Sequence, residues 1–348
     1  MKRKPLIYLS IAIAAVALVS WGALQNDATE KSSPIALGVI NPTTGPFAAY
    51  GEPVRDGILM AVDEINEAGG IAGREIKLIT EDDAGNPKNS VTAFTKLSTV
   101  DKVPLVVGPL SSGASMATAP LADRYKVIQL STLAGTIDLS TAGDYVFRIY
   151  PSSDVGSRFV AETALNRFKA KRIAVLYPNN AFGVTSRQVV TEVVSKSEAS
   201  LVAVETYKDG DRDFRTQLTK IKQAEPDLII CSAYYEEGAQ ILIQAEQLGL
   251  DVPVLGEDAW FGPIAEIVGP AIKNLYFANV AFGSSYDDNG EMQKFISAFN
   301  ERYGREPNSF AASGHAAVYV ARAALEAASG TPEDLKAAMY KTNMQTAF

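Results

Sequence analysis

The sequence predicts an α/β protein built from two doubly wound parallel-sheet lobes that are joined by a multi-strand hinge. Two observations support this fold class. The stretch 35–83 contains a short apolar run, a turn, an amphipathic helix and a second strand-like run. After it, strand-like and helical runs alternate in two series of similar size, and this alternation is typical of parallel sheets that are covered by helices.

The opening unit can be justified residue by residue. Its helix carries an apolar face with a period of 3.6 residues, formed by Val54, Ile58, Ala61, Val62 and Ile65. Gly69 and Gly70 follow, and glycine readily adopts the positive φ that ends a helix. A β–α–β crossover joins parallel strands, and ligands bind beyond the carboxyl ends of such strands. The turn 45–51 is therefore the first place to look for a site.

The remaining elements fall into the two series. In the first series the predicted strands are 103–107, 127–130 and 145–149, with a helix after Ser112. In the second series the predicted strands are 173–177, 201–207, 228–232, 252–255 and 275–281, and the predicted helices are 183–196, 213–224 and 237–248. Three more helices are predicted at 291–303, at 309–329 and from Thr331 onward, where an N-cap, a proline and first-turn acids stand in order.

These series set the expected domain organisation. Residues 34–151 together with 282–340 are expected to form lobe 1, and residues 152–281 to form lobe 2, because too few strands remain in the last quarter for a third lobe. We expect the chain to cross between the lobes at 151–153 and again at 281–283. Since no closing strand follows, we expect a fragment that lacks its C-terminal closing segment after residue 348.

The first 33 residues are expected to form a signal peptide or an N-terminal anchor, followed by a linker. Three basic residues at 2–4 precede an apolar run over 6–24, which predicts export of the rest of the chain. The run allows two outcomes, namely cleavage near Ser20 or retention as a single membrane anchor. Both outcomes place the remaining chain in the periplasm or another extracytoplasmic compartment.

Composition and residue counts exclude several function classes. A formal net charge of -8 with dispersed basic residues argues against a nucleic-acid partner. The single cysteine, Cys231, cannot form an intramolecular disulfide, and the single histidine, His315, lies in an Ala-rich helix. The chain therefore has too few of these side chains for a catalytic or metal site built on histidine or cysteine. The acidic residues 81–83 could bind a hard cation, but acceptors for loop amides explain them better. Nucleotide-binding glycine motifs do not occur, and we expect no enzyme activity and no cofactor.

Polar turns that follow predicted strands suggest a binding site instead. In the turn 108–113, helix amides and serine hydroxyls suit a carboxylate, although Ser112 as a plain N-cap explains the same residues. A second polar turn, 130–136, ends another strand of the same lobe. Lobe 2 contributes aromatic and acidic loops at 180–183, 233–236 and 256–260. Together these turns predict an apolar cleft with a few polar groups.

On these residues the sequence resembles the branched-chain amino acid (Leu/Ile/Val) binding family, which comprises substrate-binding proteins of ABC transporters with the type I periplasmic binding protein, or Venus flytrap, fold. The resemblance covers about 35–348. Its landmarks are Thr44, Gly45 and Pro46 with Tyr50 and Gly51, the segments 63–66 and 69–73, and the segments 82–84, 108–112, 182–183, 234–250 and 307–317.

The resemblance implies roles for particular residues. The serine that matches Ser112, with Ser111 beside it, and the turn that matches 133–135 hold the carboxylate and amine of the ligand in that family. Leu133 and Ala134 belong to that turn, and an apolar and aromatic wall falls at Tyr50, Phe182, Tyr234 and Phe310. Asp258 falls where an acidic side chain meets the ligand ammonium, and Trp260 adds bulk beside it.

Departures from the family pattern bear on the ligand. Gly135 stands where amino-acid binders usually carry a threonine, and whether Thr136 substitutes for it is open. Phe182 replaces a frequent tyrosine. We therefore expect an amino acid, branched-chain or otherwise apolar, with short amides and aromatic or aliphatic acids as alternatives. The expected partner is an ABC permease and the expected state a monomer, while a ligand-sensing domain of a membrane-anchored receptor is the alternative function.

Overall fold

The computed structural model describes residues 33–269, 274–283, 290–344 and 346, and it contains two five-stranded sheets in which every strand pair is parallel. The strands of the first sheet are β1 (Ile35–Ile40), β2 (Ile76–Glu81), β3 (Leu105–Val107), β4 (Ile128–Ser131) and β5 (Val146–Arg148). The strands of the second sheet are β6 (Arg172–Pro178), β7 (Ser200–Tyr207), β8 (Leu228–Cys231), β9 (Val254–Gly256) and β10 (Leu275–Phe277). Their spatial orders are β2-β1-β3-β4-β5 and β10-β9-β8-β6-β7. The predicted pair of parallel-sheet lobes is confirmed.

Helices cover both sheets. In the described part of the chain they are α1 (Ala48–Glu67), α2 (Pro87–Thr99), α3 (Ser112–Tyr125), α4 (Ser153–Asn166), α5 (Ala181–Ser195), α6 (Arg215–Gln223), α7 (Tyr235–Gln247), α8 (Ile264–Val268), α9 (Glu291–Tyr303), α10 (Ser309–Ala327) and α11 (Pro332–Lys341). None of these helices is both long and apolar enough to cross a membrane. The predicted leader lies outside the described residues.

Three helices, α2, α4 and the five-residue α8, lie outside the predicted elements. Helix α2 begins with ordinary signals, since the Asn86 side chain accepts a hydrogen bond from the N–H of Lys88 and Pro87 occupies the first position. Helix α4 is obscured for a different reason. Its apolar residues Val155 and Phe159 are 62% and 60% exposed, so they interrupt the pattern that an amphipathic helix would show.

The chain crosses between the lobes at 149–152 and at 279–282, and neither segment belongs to a strand of the two sheets. The predicted strand 275–281 accordingly ends at Phe277, because the residues after Ala278 leave the second sheet. The predicted lobe boundaries, after residues 151 and 281, fall within these segments, and the division of the chain at those residues stays a prediction.

The C-terminal helices pack on the first lobe, where α10 lies directly against α1. Two glycines permit this close approach: a Cβ at Gly57 would lie 2.0 Å from the carbonyl oxygen of Ala311, and a Cβ at Gly314 would lie 2.3 Å from that of Val54. Since real Cβ atoms never approach a carbonyl oxygen so closely, both positions require glycine. The backbones of the two helices therefore touch.

A polar contact closes the same helix pair farther along. The Glu64 Oε2 lies 2.9 Å from His315 Nε2 and accepts a hydrogen bond of 2.8 Å from the Tyr319 hydroxyl. The His315 ring also packs against Phe295 and Tyr319, with ring centroids 4.8 Å apart in both cases. His315 is thus a packed helix residue, as the sequence predicts.

The acidic cluster 81–83 holds the turn that precedes α1. Asp82 accepts hydrogen bonds from the N–H groups of Thr43 and Ala84 at 3.0 and 2.9 Å, and from the hydroxyls of Thr43 and Thr44 at 2.8 Å each. Burial alone would raise the pKa of Asp82, but these hydrogen bonds lower it to about 2. The loop-amide interpretation of this cluster is confirmed, and it fixes the turn against the end of β2.

The second lobe encloses a carboxyl group that three serine hydroxyls surround. Glu257 directly follows β9 and is 1% exposed. Its Oε1 accepts hydrogen bonds from the hydroxyls of Ser186 and Ser232, the latter at 2.7 Å, and its Oε2 accepts one of 3.0 Å from Ser157. Because these serines belong to α5, the end of β8 and α4, one side chain ties four elements together.

Burial is the main reason why the pKa of Glu257 is raised to about 7, and the neighbouring negative charge of Asp258 adds to the increase. The hydrogen bonds from the three serine hydroxyls oppose it. The value for an unperturbed glutamate is 4.5. Between these two pH values the folded protein binds more protons than the unfolded chain. The contribution of Glu257 to stability is therefore complete below pH 4.5 and is lost as the pH rises to about 7.

We predict that Glu257→Gln removes this pH dependence, because glutamine cannot ionise. The free energy of unfolding of the wild type should fall relative to that of the variant by roughly 3 kcal/mol between pH 4.5 and pH 7.5, at about 1.4 kcal/mol for each pKa unit. Urea unfolding at both pH values measures the difference. Glu162→Gln, an exposed position on α4, is the matched control. Its free energy of unfolding should depend on pH in the same way as that of the wild type. Equal differences between wild type and Glu257→Gln at the two pH values would contradict the account.

Candidate functional site

A cavity of about 750 Å³ lies between the two lobes. Its walls come from loops that follow the carboxyl ends of strands in both sheets, together with the two crossing segments. Parallel α/β sheets place their ligand sites at this edge. The cavity therefore lies where the topology of both sheets directs a ligand.

The polar wall of the first lobe is the start of α3. Ser111 is the N-cap residue, and its side chain accepts a hydrogen bond of 3.3 Å from the N–H of Ala114. The Ser112 Oγ accepts hydrogen bonds from the N–H groups of Gly135 and Thr136, each 3.2 Å long. These bonds use both lone pairs of the hydroxyl, so its hydrogen remains to be donated. The first N–H groups of α3 also lack acceptors within the helix, and this wall therefore suits an anion.

Gly135 lies against the start of α4. Its carbonyl oxygen accepts a hydrogen bond of 2.7 Å from the N–H of Ser153, and a Cβ at this position would lie 1.9 Å from the Ser153 Oγ. Ser153 thus occupies the space that a side chain at position 135 would need. Thr136 does not reach the cavity, since it is buried with its hydroxyl 3.2 Å from that of Thr185.

The second lobe contributes the only carboxylate among the described residues that line the cavity. Asp258 begins the short 3₁₀ helix Asp258–Trp260, and its Oδ1 accepts a hydrogen bond of 3.0 Å from the N–H of Ala259. Burial raises the pKa of Asp258, and a hydrogen bond from the Tyr150 hydroxyl opposes this. No lysine, arginine or histidine occurs among the described lining residues. The described lining therefore offers this carboxylate no cationic partner in the cavity.

Tyr50 joins the two lobes across one side of the cavity. It belongs to α1 of the first lobe, and its hydroxyl donates to the carbonyl oxygen of Ala259 and accepts a hydrogen bond of 2.9 Å from the N–H of Tyr235. Aromatic rings surround it, with centroid distances of 5.6 Å to Phe310 and 5.9 Å to Phe47. The lobes are therefore in contact, and this side of the cavity is closed by aromatic side chains.

The structure brings nine of the twelve predicted site residues to the cavity wall. They are Tyr50, Ser111, Ser112, Leu133, Gly135, Phe182, Tyr234, Asp258 and Phe310. The other three do not line the cavity: Ala134 and Thr136 are buried, and Trp260 is fully buried with its ring packed beside Gly238 and Gly256. Contact of the nine lining residues with a ligand stays a prediction.

Several cavity residues are absent from the predicted set. They are Phe47, Leu110, Tyr150, Pro151, the α4 N-cap Ser152, the α4 residues Ser153, Val155, Gly156 and Phe159, then Ala259, Ala278 and the crossing segment 279–282. Most of them lie on the unpredicted helix α4 or on the crossings. An apolar pair four residues apart, Val155 and Phe159, was the available signal, because such a pair shares one face of a helix. No cluster of potential metal ligands occurs in the part of the chain that the structure describes.

Comparison with known proteins gives consistent matches. The family model described as periplasmic binding protein matches residues 34–348. The Leu/Ile/Val-binding protein BraC3 of Rhizobium johnstonii is 30% identical over 305 residues, which cover 87% of this chain and 82% of the relative. A leucine-, isoleucine-, valine-, threonine- and alanine-binding protein of Pseudomonas aeruginosa is 27% identical over 97% of this chain and 89% of its own.

A solved structure extends the similarity to three dimensions. The branched-chain amino acid transporter substrate-binding protein LivJ of Streptococcus pneumoniae, in complex with isoleucine, has a TM-score of 0.81 and 29% identity. The match covers 89% of this chain and 88% of that one. The resemblance seen in the sequence motifs is thereby confirmed over nearly the whole described fold. The chain belongs to the periplasmic binding protein family.

Proposed function

We propose that this protein captures an amino acid between its two lobes and delivers it to an ABC permease. The observation that carries the proposal is the carboxylate of Asp258, the only one among the described lining residues, in a cavity whose opposite lobe offers hydrogen-bond donors at the start of α3. A zwitterion satisfies both walls at once. The relatives support this choice, because their names describe amino-acid binding and one of them holds isoleucine.

Each charged group of the amino acid has a partner in this scheme. The ligand carboxylate accepts hydrogen bonds from the Ser112 hydroxyl and from the first N–H groups of α3, where the helix dipole favours an anion. The ligand ammonium donates to Asp258. Hydrogen bonds of this kind, with an ionised group on one or both sides, are roughly twice as strong as neutral ones. Apolar rings then bury the ligand side chain.

Capture requires that the ligand favour the closed arrangement. Moving a population from 1:99 to 99:1 takes about 5.5 kcal/mol of differential binding. Two charge-assisted hydrogen bonds contribute about 1.5–3 kcal/mol each, and burial of an apolar side chain about 1.5–3 kcal/mol. Only contacts that form on closure count toward the required value, and the upper ends of these ranges reach it, so a single amino acid can supply the free energy of hinge closure.

The family supports a proposal about the partner and the location. We propose that the protein acts outside the cytoplasm as a monomer and that a permease recognises the closed form. A binding role is favoured over catalysis, because the described cavity lining contains hydroxyls and one carboxylate but no histidine or lysine to activate them.

A calorimetric panel on protein stripped of bound ligand tests the function. Leucine, isoleucine, valine and phenylalanine are titrated beside 4-methylpentanoate, which has the shape of leucine without its ammonium group. Saturable binding of at least one amino acid, with much weaker binding of 4-methylpentanoate than of leucine, is expected. Absence of binding by every amino acid would overturn the proposal.

We predict that Asp258→Asn lowers leucine affinity by about tenfold to a hundredfold, because asparagine keeps the size of the side chain but removes the charge that pairs with the ammonium. Isothermal calorimetry measures the dissociation constant. Asp138→Asn, an exposed position outside the cavity, is the matched control and should bind like the wild type. Unchanged leucine affinity in Asp258→Asn would remove Asp258 as the ammonium partner.

We predict that Tyr50→Phe weakens leucine binding by about fivefold to a hundredfold, since the closed form loses the two hydrogen bonds that join the lobes. Small-angle scattering at saturating leucine should show a larger radius of gyration than in the wild type. Tyr303→Phe is the control, because its hydroxyl donates to the carbonyl oxygen of Asp56 within the first lobe. If Tyr50→Phe left both affinity and radius unchanged, this contact would not stabilise closure.

A further inference from the structure

The cavity is larger than an aliphatic amino acid requires. Its volume of about 750 Å³ lies in the upper part of the range of roughly 300–1,000 Å³ that is typical of pockets for drug-sized ligands. Leucine is much smaller than such ligands. An aliphatic amino acid bound between Ser112 and Asp258 would therefore leave part of the wall in contact with water.

Exposed apolar side chains mark the part of the wall that remains. Val155 and Phe159 stand four residues apart on α4 and share one face of the helix. Both line the cavity, and more than half of each side chain is exposed. The opposite face of α4, with Val160, Ala161 and Ala164, is fully buried in the second lobe. The exposed pair is thus directed to the cavity and does not belong to the core.

The crossing segment adds apolar residues to the wall of the same cavity. Val280 and Phe282 line the cavity together with Val155 and Phe159, and we call these four apolar lining residues the side compartment. Asn279 also lines the cavity, and its Oδ1 already accepts a hydrogen bond of 2.9 Å from the N–H of Val280. The compartment is therefore apolar, and large exposed apolar surfaces in a cleft mark sites where a partner binds.

We infer that the ligand is an amino acid with an aromatic side chain, whose ring fills the side compartment. This inference rests on the proposed function, because the charged groups of the amino acid stay at Ser112 and Asp258. A flat ring supplies the apolar area that the compartment offers, and it packs well against the edge or face of Phe159. A branched aliphatic side chain is too short to fill the same space.

The chemistry also discriminates against aromatic acids. An aromatic acid without an ammonium group fills the compartment but brings no positive charge to the buried Asp258 carboxyl group, whose pKa is raised by burial. An amine without a carboxylate leaves the start of α3 unused. The complete set of groups in the cavity matches a ligand that combines ring, ammonium and carboxylate.

The test is calorimetry on wild-type protein stripped of ligand, with phenylalanine, leucine and 3-phenylpropionate as probes. Phenylalanine is expected to bind at least about tenfold more tightly than leucine, because even one additional methylene in an apolar pocket changes affinity by about 10–200-fold. 3-Phenylpropionate, which has the ring and the carboxylate but no ammonium, is expected to bind at least about tenfold more weakly than phenylalanine.

Variants locate the effect in the side compartment. Phe159→Ala should weaken phenylalanine binding by at least about tenfold and leucine binding by less than about threefold. Tyr340→Ala, an aromatic residue on α11 that is 63% exposed outside the cavity, is the matched control. Val155→Ala, with Val100→Ala as its control, provides a second pair of variants. Melting temperatures equal to that of the wild type establish that each variant is folded.

The outcomes separate the two proposals. If leucine binds as tightly as phenylalanine, or if Phe159→Ala weakens both equally, the aromatic inference is wrong while amino-acid capture stands. If 3-phenylpropionate binds as tightly as phenylalanine, the ligand is an aromatic acid and the inference is wrong as well. If no amino acid binds, the proposed function fails and the inference fails with it.

Discussion

The rest of the site depends on one carboxylate, that of Asp258, which is held in an apolar cleft whose described lining residues include no cation. Removal of a carboxylate from water is costly unless an opposite charge or hydrogen bonds replace the lost hydration. Ala259 and Tyr150 supply part of that replacement. The remaining deficit is a driving force for binding a ligand that brings its own positive charge.

The surroundings keep this carboxylate available. Glu257, its immediate neighbour in the chain, is buried among three serine hydroxyls, so its hydrogen-bonding capacity is used inside the second lobe. Tyr50 then binds the carbonyl oxygen of Ala259, the residue directly after Asp258. The short segment 257–259 thus links the interior of one lobe, the cavity and the opposite lobe, and in the proposed function the ligand at Asp258 lies one residue from the lobe contact.

Much of the fold and the part of the cavity wall formed by strand-end turns could be predicted from the sequence, because such turns have a known position in parallel sheets. The failures have physical reasons. Helix α4 was not predicted because Val155 and Phe159 add an exposed apolar pair to the face opposite the buried one, so the helix lacks a single apolar face, and its lining residues were missed with it. Trp260 and Thr136 both adjoin cavity residues in sequence. The 3₁₀ turn directs the Trp260 ring into the core, and the Thr136 hydroxyl forms a hydrogen bond with that of Thr185. Such directions depend on tertiary packing.

The most direct measurement of the central claim is a crystal structure of the protein with a bound amino acid. The account predicts that the ligand ammonium nitrogen lies within about 3.2 Å of an Asp258 carboxylate oxygen and that the ligand carboxylate accepts a hydrogen bond from the Ser112 hydroxyl. A structure in which the ammonium group lies beyond hydrogen-bonding distance of Asp258, with its charge paired elsewhere, would contradict it.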